Sequence, residues 1–134
     1  MGAQDTQFIN ATGLPGPNQF TTALDLSTIM AAALSYPKLR ETIATPVAEF
    51  STTDGRHLFL KNTDKLLWSD ECVIGGKTGY PLTAGHCFVG AAEREKATII
   101  VALLGSPSRY RLWKETQALI DKGFQMIGNH NQPW

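Results

Sequence analysis

Hydrophobic and polar positions follow a helical period in the first part of the chain. After Thr22, which can cap a helix, apolar residues recur at spacings of three and four, and Asp25 completes a capping-box pattern. The inward positions of this predicted helix are Leu26, Ile29, Met30 and Ala33. The helix should end near Pro37, and a shorter helical piece is predicted over 37–43. Residues 1–20 are rich in Gly and Pro and are predicted to form loops.

The pattern becomes extended after Pro46. Two strands are predicted around Asp54-Gly55, a strong hairpin signal, and three more should follow a connection or short helix. The predicted strands are 47–53, 56–61, a strand that ends at Gly79, 85–93 and 97–104. The last of these runs is apolar at successive positions, so it is predicted to be a central strand covered on both sides.

A second amphipathic pattern closes the chain. Ser106 followed by Pro107 predicts a helix start, and Gly123 is predicted to end that helix. Residues 128–134 are predicted to be a flexible tail, which leaves one domain over residues 1–127. The predicted fold class is α+β: a helical N-terminal part, an antiparallel sheet of three to five strands, and a C-terminal helix on one face.

Composition and charge narrow the function classes. The 134 residues include 12 basic and 12 acidic side chains with no block of like charge, which argues against nucleic acid as a partner. No apolar run is long enough for a membrane span, and residues 1–6 have neither the basic nor the apolar region of a signal peptide. Cys72 and Cys87 are expected to be buried thiols, and neither a metal site nor a cofactor is expected.

Candidate chemistry is concentrated in residues 73–80. Lys77, Thr78 and Gly79 place a cation, a hydroxyl and a bare backbone position at the end of a predicted strand. Glycine allows a ligand's backbone to approach and pair with the strand, and a lysine beside that edge can hold a carboxylate. Lys-Thr-Gly is also the third signature of serine penicillin-binding proteins and β-lactamases. The alternative is a strand-end turn with a solvated lysine.

Further motifs occur in order around this triplet. Phe-Ile-Asn-Ala-Thr-Gly-Leu occupies 8–14, Asn-Thr-Asp-Lys-Leu-Leu occupies 62–67, and Gly-Lys-Thr-Gly-Tyr occupies 76–80. Leu-Leu-Gly at 103–105 and the Gly-Phe at 123–124 follow. Over about residues 8–124 this order resembles the later part of the catalytic domain of the low-molecular-weight D-alanyl-D-alanine carboxypeptidases. The resemblance implies part of a penicillin-binding/β-lactamase-like fold.

The resemblance implies roles for four residues. The family uses a serine to attack the terminal D-Ala-D-Ala bond of peptidoglycan stem peptides, and β-lactams trap the same acyl-enzyme. Lys77 and Thr78 match the residues that hold the substrate carboxylate, Gly79 leaves room for the substrate, and the Tyr80 backbone N–H matches one oxyanion donor. The family acts outside the cytoplasmic membrane, so the implied location is periplasmic or extracellular.

The sequence departs from the family at the nucleophile. The family requires Ser-x-x-Lys and Ser-x-Asn motifs, but the sequence contains no Ser-x-Asn, and its one Ser-x-x-Lys, at 35–38, is interrupted by Pro37. We interpret that match as accidental and expect no complete catalytic set. The expected function is a fragment of a serine-type carboxypeptidase that binds stem peptides or β-lactams through the Lys-Thr-Gly strand but is inactive alone.

Three alternatives remain open from the sequence. The chain could be a non-catalytic module that binds a peptide carboxylate, or a purely structural oligomer. In the family, strand 97–104 pairs with N-terminal strands that have no counterpart here, so a homo-oligomer is predicted. An independent serine hydrolase would draw its base from His57, His86 or His130, but the sequence has no Gly-x-Ser-x-Gly motif.

Overall fold

A three-stranded antiparallel sheet with helices against both faces forms the centre of the fold. A computed structural model describes residues 2–130, excepting the side chains at 129 and 130. The helices are α1 (Ala23–Leu34), α2 (Pro37–Ala44) and α3 (Arg109–His130), with a 3-10 turn at Leu66–Trp68. The strands are β1 (Val47–Ser51), β2 (His57–Lys61), β3 (Val73–Gly79), β4 (His86–Arg94) and β5 (Ala97–Ser106).

The main sheet has the order β3-β4-β5 with every neighbour antiparallel, which confirms the predicted α+β class. The prediction that strand 97–104 is central was wrong within residues 2–130, because β5 pairs with β4 alone and β4 occupies the centre. The expected covering of both faces is correct, since α3 packs on one face of β5 and α1 on the other. The apolar pattern of β5 therefore indicates that helices cover the strand, and it does not indicate how many strands pair with it.

The core lies between the sheet and α3. Its buried side chains come from the 3-10 turn, all three sheet strands and the inner face of α3: Leu66, Val73, Phe88, Ala92, Val101, Leu112 and Ile120. Phe88 is fully buried, and its ring meets the edge of Trp113 with the ring centroids 5.1 Å apart. This packing fixes α3 against β4 beside the end of β3.

Helix α1 begins where the sequence predicts. The Thr22 hydroxyl accepts a hydrogen bond from Asp25 N at 3.1 Å. The Asp25 carboxylate does not complete a capping box, however, and instead accepts from Asp5 N at 2.8 Å and from Thr6 Oγ1 at 2.6 Å. The N-terminal segment is therefore attached to the first turn of α1.

Strands β1 and β2 form a separate two-stranded sheet around the predicted Asp54-Gly55 turn. Both strands are shorter than predicted, and every residue of β2 is exposed. Asn62 follows β2 directly, and its Nδ2 donates to the carbonyl oxygens of Ile43 and Thr45. This amide anchors the end of the hairpin to the C-terminal end of α2.

Helix α3 differs from the prediction at both ends. Strand β5 continues through Ser106, and Ser108 caps the helix by accepting from Arg111 N at 3.2 Å. The helix passes through Gly123 and reaches His130, so the predicted tail is helical over 128–130; residues 131–134 lie outside the described part of the chain. A side chain at Gly123 would lie 2.5 Å from Ile99 Cδ1, so this glycine permits close packing of α3 on β5.

The two cysteines are half-buried free thiols, and the expectation that both are buried was wrong. Cys72 lies in the turn before β3, where its sulfur accepts from Arg94 Nε at 3.1 Å. The Arg94 guanidinium also contacts Asp121 at 3.2 Å and Asp70 at 3.6 Å, which links that turn to α3. No helix within residues 2–130 has the combination of length and apolar character that a membrane crossing requires.

Candidate functional site

Strand β3 carries the candidate site at an edge of the main sheet. Within residues 2–130 it pairs only with β4, so its other edge has no strand partner. Thr78 lies opposite Phe88 and Lys77 lies opposite Val89, which places the two side chains on opposite faces of the sheet. An unpartnered strand edge is a template on which an extended peptide can add.

Lys77 and Thr78 present their polar groups at the exposed end of this strand. Lys77 is exposed, and its Nζ donates to the Thr78 carbonyl oxygen. The ammonium group therefore lies beside the strand's main chain, where a ligand carboxylate could replace the carbonyl as its partner. The Thr78 hydroxyl lies 2.7 Å from the Thr63 hydroxyl and shares a hydrogen bond with it.

The three glycines of β3 differ in what surrounds them. A side chain at Gly75 would lie 2.2 Å from the Ile43 carbonyl oxygen, and one at Gly76 would lie 2.4 Å from the Val89 carbonyl oxygen. These two positions are glycine because neighbouring backbone fills the space. At Gly79 the nearest atom would be Cys87 Cβ at 3.8 Å, an ordinary contact. Packing within the described chain does not require glycine there, and the open space beside the backbone is available to a ligand.

Tyr80 follows the strand and stacks on His86, with the ring centroids 4.2 Å apart and 19° between the planes. The sequence analysis did not place His86 at the site. The antiparallel return of the chain could have indicated this contact. The pairing of Gly79 with Cys87 brings His86, the first residue of β4, next to Tyr80. The stacked pair forms one side of the exposed strand end.

Asp64 is a second residue that the sequence analysis did not assign to the site. Its side chain is fully buried beneath the loop that carries Thr63, and Oδ1 accepts from Leu66 N at 2.9 Å. The other carboxylate oxygen has no hydrogen-bond partner within the described chain. Burial raises the pKa of this carboxyl, although hydrogen bonds from Leu66 N and Leu67 N oppose the effect. Asp64 belongs to the motif at 62–67, but its burial depends on packing that the motif does not contain.

A groove of about 390 Å³ opens next to Thr63. The end of β2, the loop that follows it and the beginning of α3 form its walls. Its lining residues are Lys61, Asn62, Thr63, Lys65, Trp68, Arg109 and Trp113. Thr63, which lines the groove, hydrogen-bonds to Thr78 of the Lys-Thr-Gly strand.

The Ser-x-x-Lys match at 35–38 spans two helices. Ser35 is the residue that follows α1, and its hydroxyl donates to the Ala32 carbonyl at 2.6 Å. Lys38 lies in the first turn of α2, and its ammonium pairs with Glu41 at 3.0 Å. The structure shows no hydrogen bond between the Ser35 and Lys38 side chains within residues 2–130, so the lysine is not positioned to activate the serine.

One serine does contact a histidine. Ser51 Oγ and His57 Nδ1 lie 2.9 Å apart at the turn end of the β1–β2 hairpin. Both residues are exposed, and within residues 2–130 no carboxylate hydrogen-bonds to the other nitrogen of His57. A hydrolytic triad requires a third group that orients the base, so this pair is an incomplete arrangement.

Comparison with known proteins connects this site with one family. A family model described as D-alanyl-D-alanine carboxypeptidase matches residues 1–108. The D-alanyl-D-alanine carboxypeptidase DacB2 of Mycobacterium tuberculosis is 35% identical over 134 residues, an alignment that covers 94% of this chain and 45% of that protein.

Solved structures give the same result. A crystal structure of D-alanyl-D-alanine carboxypeptidase from Mycobacterium tuberculosis aligns with a TM-score of 0.82 and 34% identity, covering 92% of this chain and 48% of that one. Penicillin-binding protein D2 of Listeria monocytogenes, solved in a cefotaxime-bound form, aligns with a TM-score of 0.76 and 32% identity, covering 89% and 48%.

These relatives are longer than the chain described here, which spans less than half the length of each of the three. The residues that the family model matches contain the whole main sheet with the Lys-Thr-Gly strand and end just before α3. The fold is accordingly that of the penicillin-binding D,D-peptidases, in the part that the chain represents. The chain belongs to the D-alanyl-D-alanine carboxypeptidase family and represents part of its catalytic domain.

Proposed function

We propose that this chain binds the D-Ala-D-Ala end of peptidoglycan stem peptides along β3 without forming an acyl-enzyme on its own. The observation that carries this proposal is the exposed edge of β3. There Lys77 and Thr78 directly precede Gly79, where the space beside the main chain is open. A peptide that adds to this edge gains main-chain hydrogen bonds, and its terminal carboxylate lies within reach of a cation and a hydroxyl.

Each residue has a distinct proposed role. The Lys77 ammonium exchanges its contact with the Thr78 carbonyl for a charge-assisted hydrogen bond to the ligand carboxylate. The Thr78 hydroxyl, oriented by Thr63, donates to the same carboxylate. The Tyr80 backbone N–H faces the carbonyl of the penultimate D-Ala, as the family resemblance implies. A β-lactam carries an equivalent carboxylate and carbonyl and should occupy the same position.

Hydrolysis is proposed to need a nucleophile that this polypeptide does not supply. Ser35, the serine of its one Ser-x-x-Lys match, donates to a helix carbonyl and is not paired with the lysine. Intact-mass spectrometry after incubation with excess penicillin tests this point. The expected result is an unmodified mass, and a stoichiometric adduct mapped to Ser35 would contradict the proposal.

A second proposal concerns self-association through β5. This strand has ten residues, is apolar toward both covering helices, and within residues 2–130 has no partner on its outer edge. Long unpartnered edges favour pairing with another chain, so we propose a homo-oligomer joined at this edge. Light scattering coupled to size exclusion should give a mass above that of one chain, whereas a monodisperse monomer at working concentration would refute the proposal.

The two proposals differ in the ligand binding that they predict. A binding module shows saturable affinity for a D-Ala-D-Ala peptide, whereas a purely structural oligomer shows none. Neither requires a cofactor, because a lysine and backbone groups supply the proposed carboxylate contacts. We further propose that the chain acts where its ligand occurs, outside the cytoplasmic membrane.

A further inference from the structure

Three cationic side chains converge on the groove beside Thr63. Lys61 comes from the end of β2, Lys65 precedes the 3-10 turn, and Arg109 is the first residue of α3. No acidic side chain is among the lining residues. Within residues 2–130, none of the three forms a salt bridge with a carboxylate. The groove therefore has a local positive charge that an anionic ligand group would neutralise.

Two of the residues that form the walls of the groove are aromatic. Trp68 and Trp113 line it, and the Lys61 ammonium lies 4.6 Å from the Trp68 ring centroid. The indole rings give the groove an apolar surface against which the aliphatic part of an acidic side chain can pack. The indole N–H of Trp113 is buried without a hydrogen-bond partner in the described chain.

The N-terminus of α3 adds to the positive potential. Arg109 begins a helix of 22 residues, and the first turn of a helix carries partial positive charge from its free N–H groups. The planar guanidinium presents two parallel N–H donors, which match the two oxygens of a carboxylate better than a single lysine does. A carboxylate is therefore an anion that this donor set fits.

The position of the groove relates it to the proposed ligand. If a peptide carbonyl lies at Tyr80 and the terminal carboxylate lies at Lys77 and Thr78, the ligand's C-terminus points toward the Thr78 hydroxyl. Thr63 is the partner of that hydroxyl and also lines the groove. The groove thus begins where a D-Ala-D-Ala ligand ends.

We infer that the groove binds an acidic extension of the ligand's C-terminal residue, a second carboxylate beyond the one held by Lys77 and Thr78. This inference rests on the proposed function, because that function sets the direction of the peptide. A terminal D-Ala leaves the groove empty, whereas a terminal D-amino acid with an acidic side chain enters it. The groove volume of about 390 Å³ is ample for such a side chain. The preferred ligands are therefore peptides with a bulky acidic residue after the D-Ala carbonyl.

The test compares two peptides by calorimetry at low salt: diacetyl-L-Lys-D-Ala-D-Ala and diacetyl-L-Lys-D-Ala-D-Glu. One additional charge contact predicts roughly fivefold tighter binding of the D-Glu peptide. The combined Lys61→Gln, Lys65→Gln and Arg109→Gln substitutions should abolish this advantage and leave D-Ala-D-Ala affinity within about twofold. The combined Lys96→Gln, Lys114→Gln and Lys122→Gln substitutions, at exposed lysines that do not line the groove, are the charge-matched control.

The outcomes separate this inference from the proposed function. Equal affinities for the two peptides in the unsubstituted chain, or a preference that survives the triple substitution, would overturn the inference while D-Ala-D-Ala binding stands. If neither peptide binds, the proposed function fails. A glutarate titration, followed by NMR through the indole N–H resonances of Trp68 and Trp113, then tests separately whether the groove binds a carboxylate. A saturable shift that the triple variant lacks supports a carboxylate site. No shift, or equal affinity for inorganic phosphate, contradicts it.

Discussion

The hydroxyl oxygens of Thr63 and Thr78 lie 2.7 Å apart and join the loop after β2 to the Lys-Thr-Gly strand. Thr78 thereby has a fixed hydroxyl orientation at the point where the proposed ligand carboxylate lies. The same contact places the cationic groove next to the strand end. The proposed ligand site is therefore composed of two segments that are 15 residues apart in sequence.

Substitution of Thr63 tests whether this contact positions Thr78. Thr63→Val removes the hydroxyl and preserves the shape, and we expect D-Ala-D-Ala affinity to fall about fivefold, the value of one hydrogen bond. Thr63→Ser keeps a hydroxyl at the same position and should restore affinity to near that of the unsubstituted chain. Calorimetric titration of the three proteins measures the effect. Unchanged affinity in Thr63→Val together with a loss in Thr63→Ser would mean that the side-chain methyl, and not the hydroxyl, matters.

Alanine at two glycines separates packing from ligand access. At Gly79 the added methyl meets only Cys87 Cβ at 3.8 Å, so stability should change by less than about 0.5 kcal/mol while affinity falls about tenfold. At Gly76 the methyl would lie 2.4 Å from the Val89 carbonyl oxygen, and we expect a loss of roughly 1–3 kcal/mol in the free energy of unfolding. Urea denaturation and peptide titration measure the two quantities. Unchanged affinity in Gly79→Ala would argue against a ligand strand at this position.

The buried carboxyl of Asp64 should make stability depend on pH. Burial raises its pKa above the ordinary value of 3.8, so the folded state holds the proton more tightly than the unfolded state. The stabilising contribution of that proton is complete below about pH 3.8 and is lost as the pH rises through the raised value in the folded protein.

Asparagine at position 64 removes this titration and keeps an oxygen that can accept from Leu66 N. We expect Asp64→Asn to raise the free energy of unfolding by about 1 kcal/mol at pH 7 and by less at pH 4. Urea denaturation at the two pH values measures the difference, with Glu115→Gln at an exposed position of α3 as the control. A gain that is the same at both pH values would contradict the assignment to the buried carboxyl.

The Arg94 cluster should contribute more to stability than an isolated surface pair. Its guanidinium contacts Cys72, Asp70 and Asp121, and it also lies 4.6 Å from the Phe124 ring centroid. Arg94→Ala should lower Tm, whereas Arg56→Ala, which removes one exposed pair with Asp54, should have a smaller effect. Differential scanning calorimetry compares the variants. An equal or larger loss in Arg56→Ala would mean that the cluster does not hold the turn before β3 to α3.

Local signals in the sequence were sufficient for much of the fold. The Thr22 cap and the Asp54-Gly55 turn depend on residues a few positions apart, and both were predicted correctly. The end of α3 was not predicted correctly. Gly123 leaves room for the Ile99 side chain of β5, on which α3 packs, and does not end the helix. The exposure of the β5 edge likewise depends on the order of strands, which periodicity does not contain.

The same distinction applies to the candidate site. Lys77, Thr78 and Gly79 are contiguous and could be identified from one motif. The groove could not, because Lys61, Trp68 and Arg109 come from segments that meet only after α3 packs on the sheet. The stacking of Tyr80 on His86 was accessible in principle, since the antiparallel register of β3 and β4 determines it.

The most direct measurement is a calorimetric titration of diacetyl-L-Lys-D-Ala-D-Ala into the unsubstituted chain, Lys77→Ala and Lys122→Gln. The account predicts saturable binding at one site per chain, a loss of at least about tenfold in Lys77→Ala, and no change in Lys122→Gln. The first substitution removes the ammonium beside the open strand edge, and the second removes an exposed ammonium distant from it. Absence of saturable binding, or equal affinity in Lys77→Ala, would contradict the claim that β3 holds the ligand.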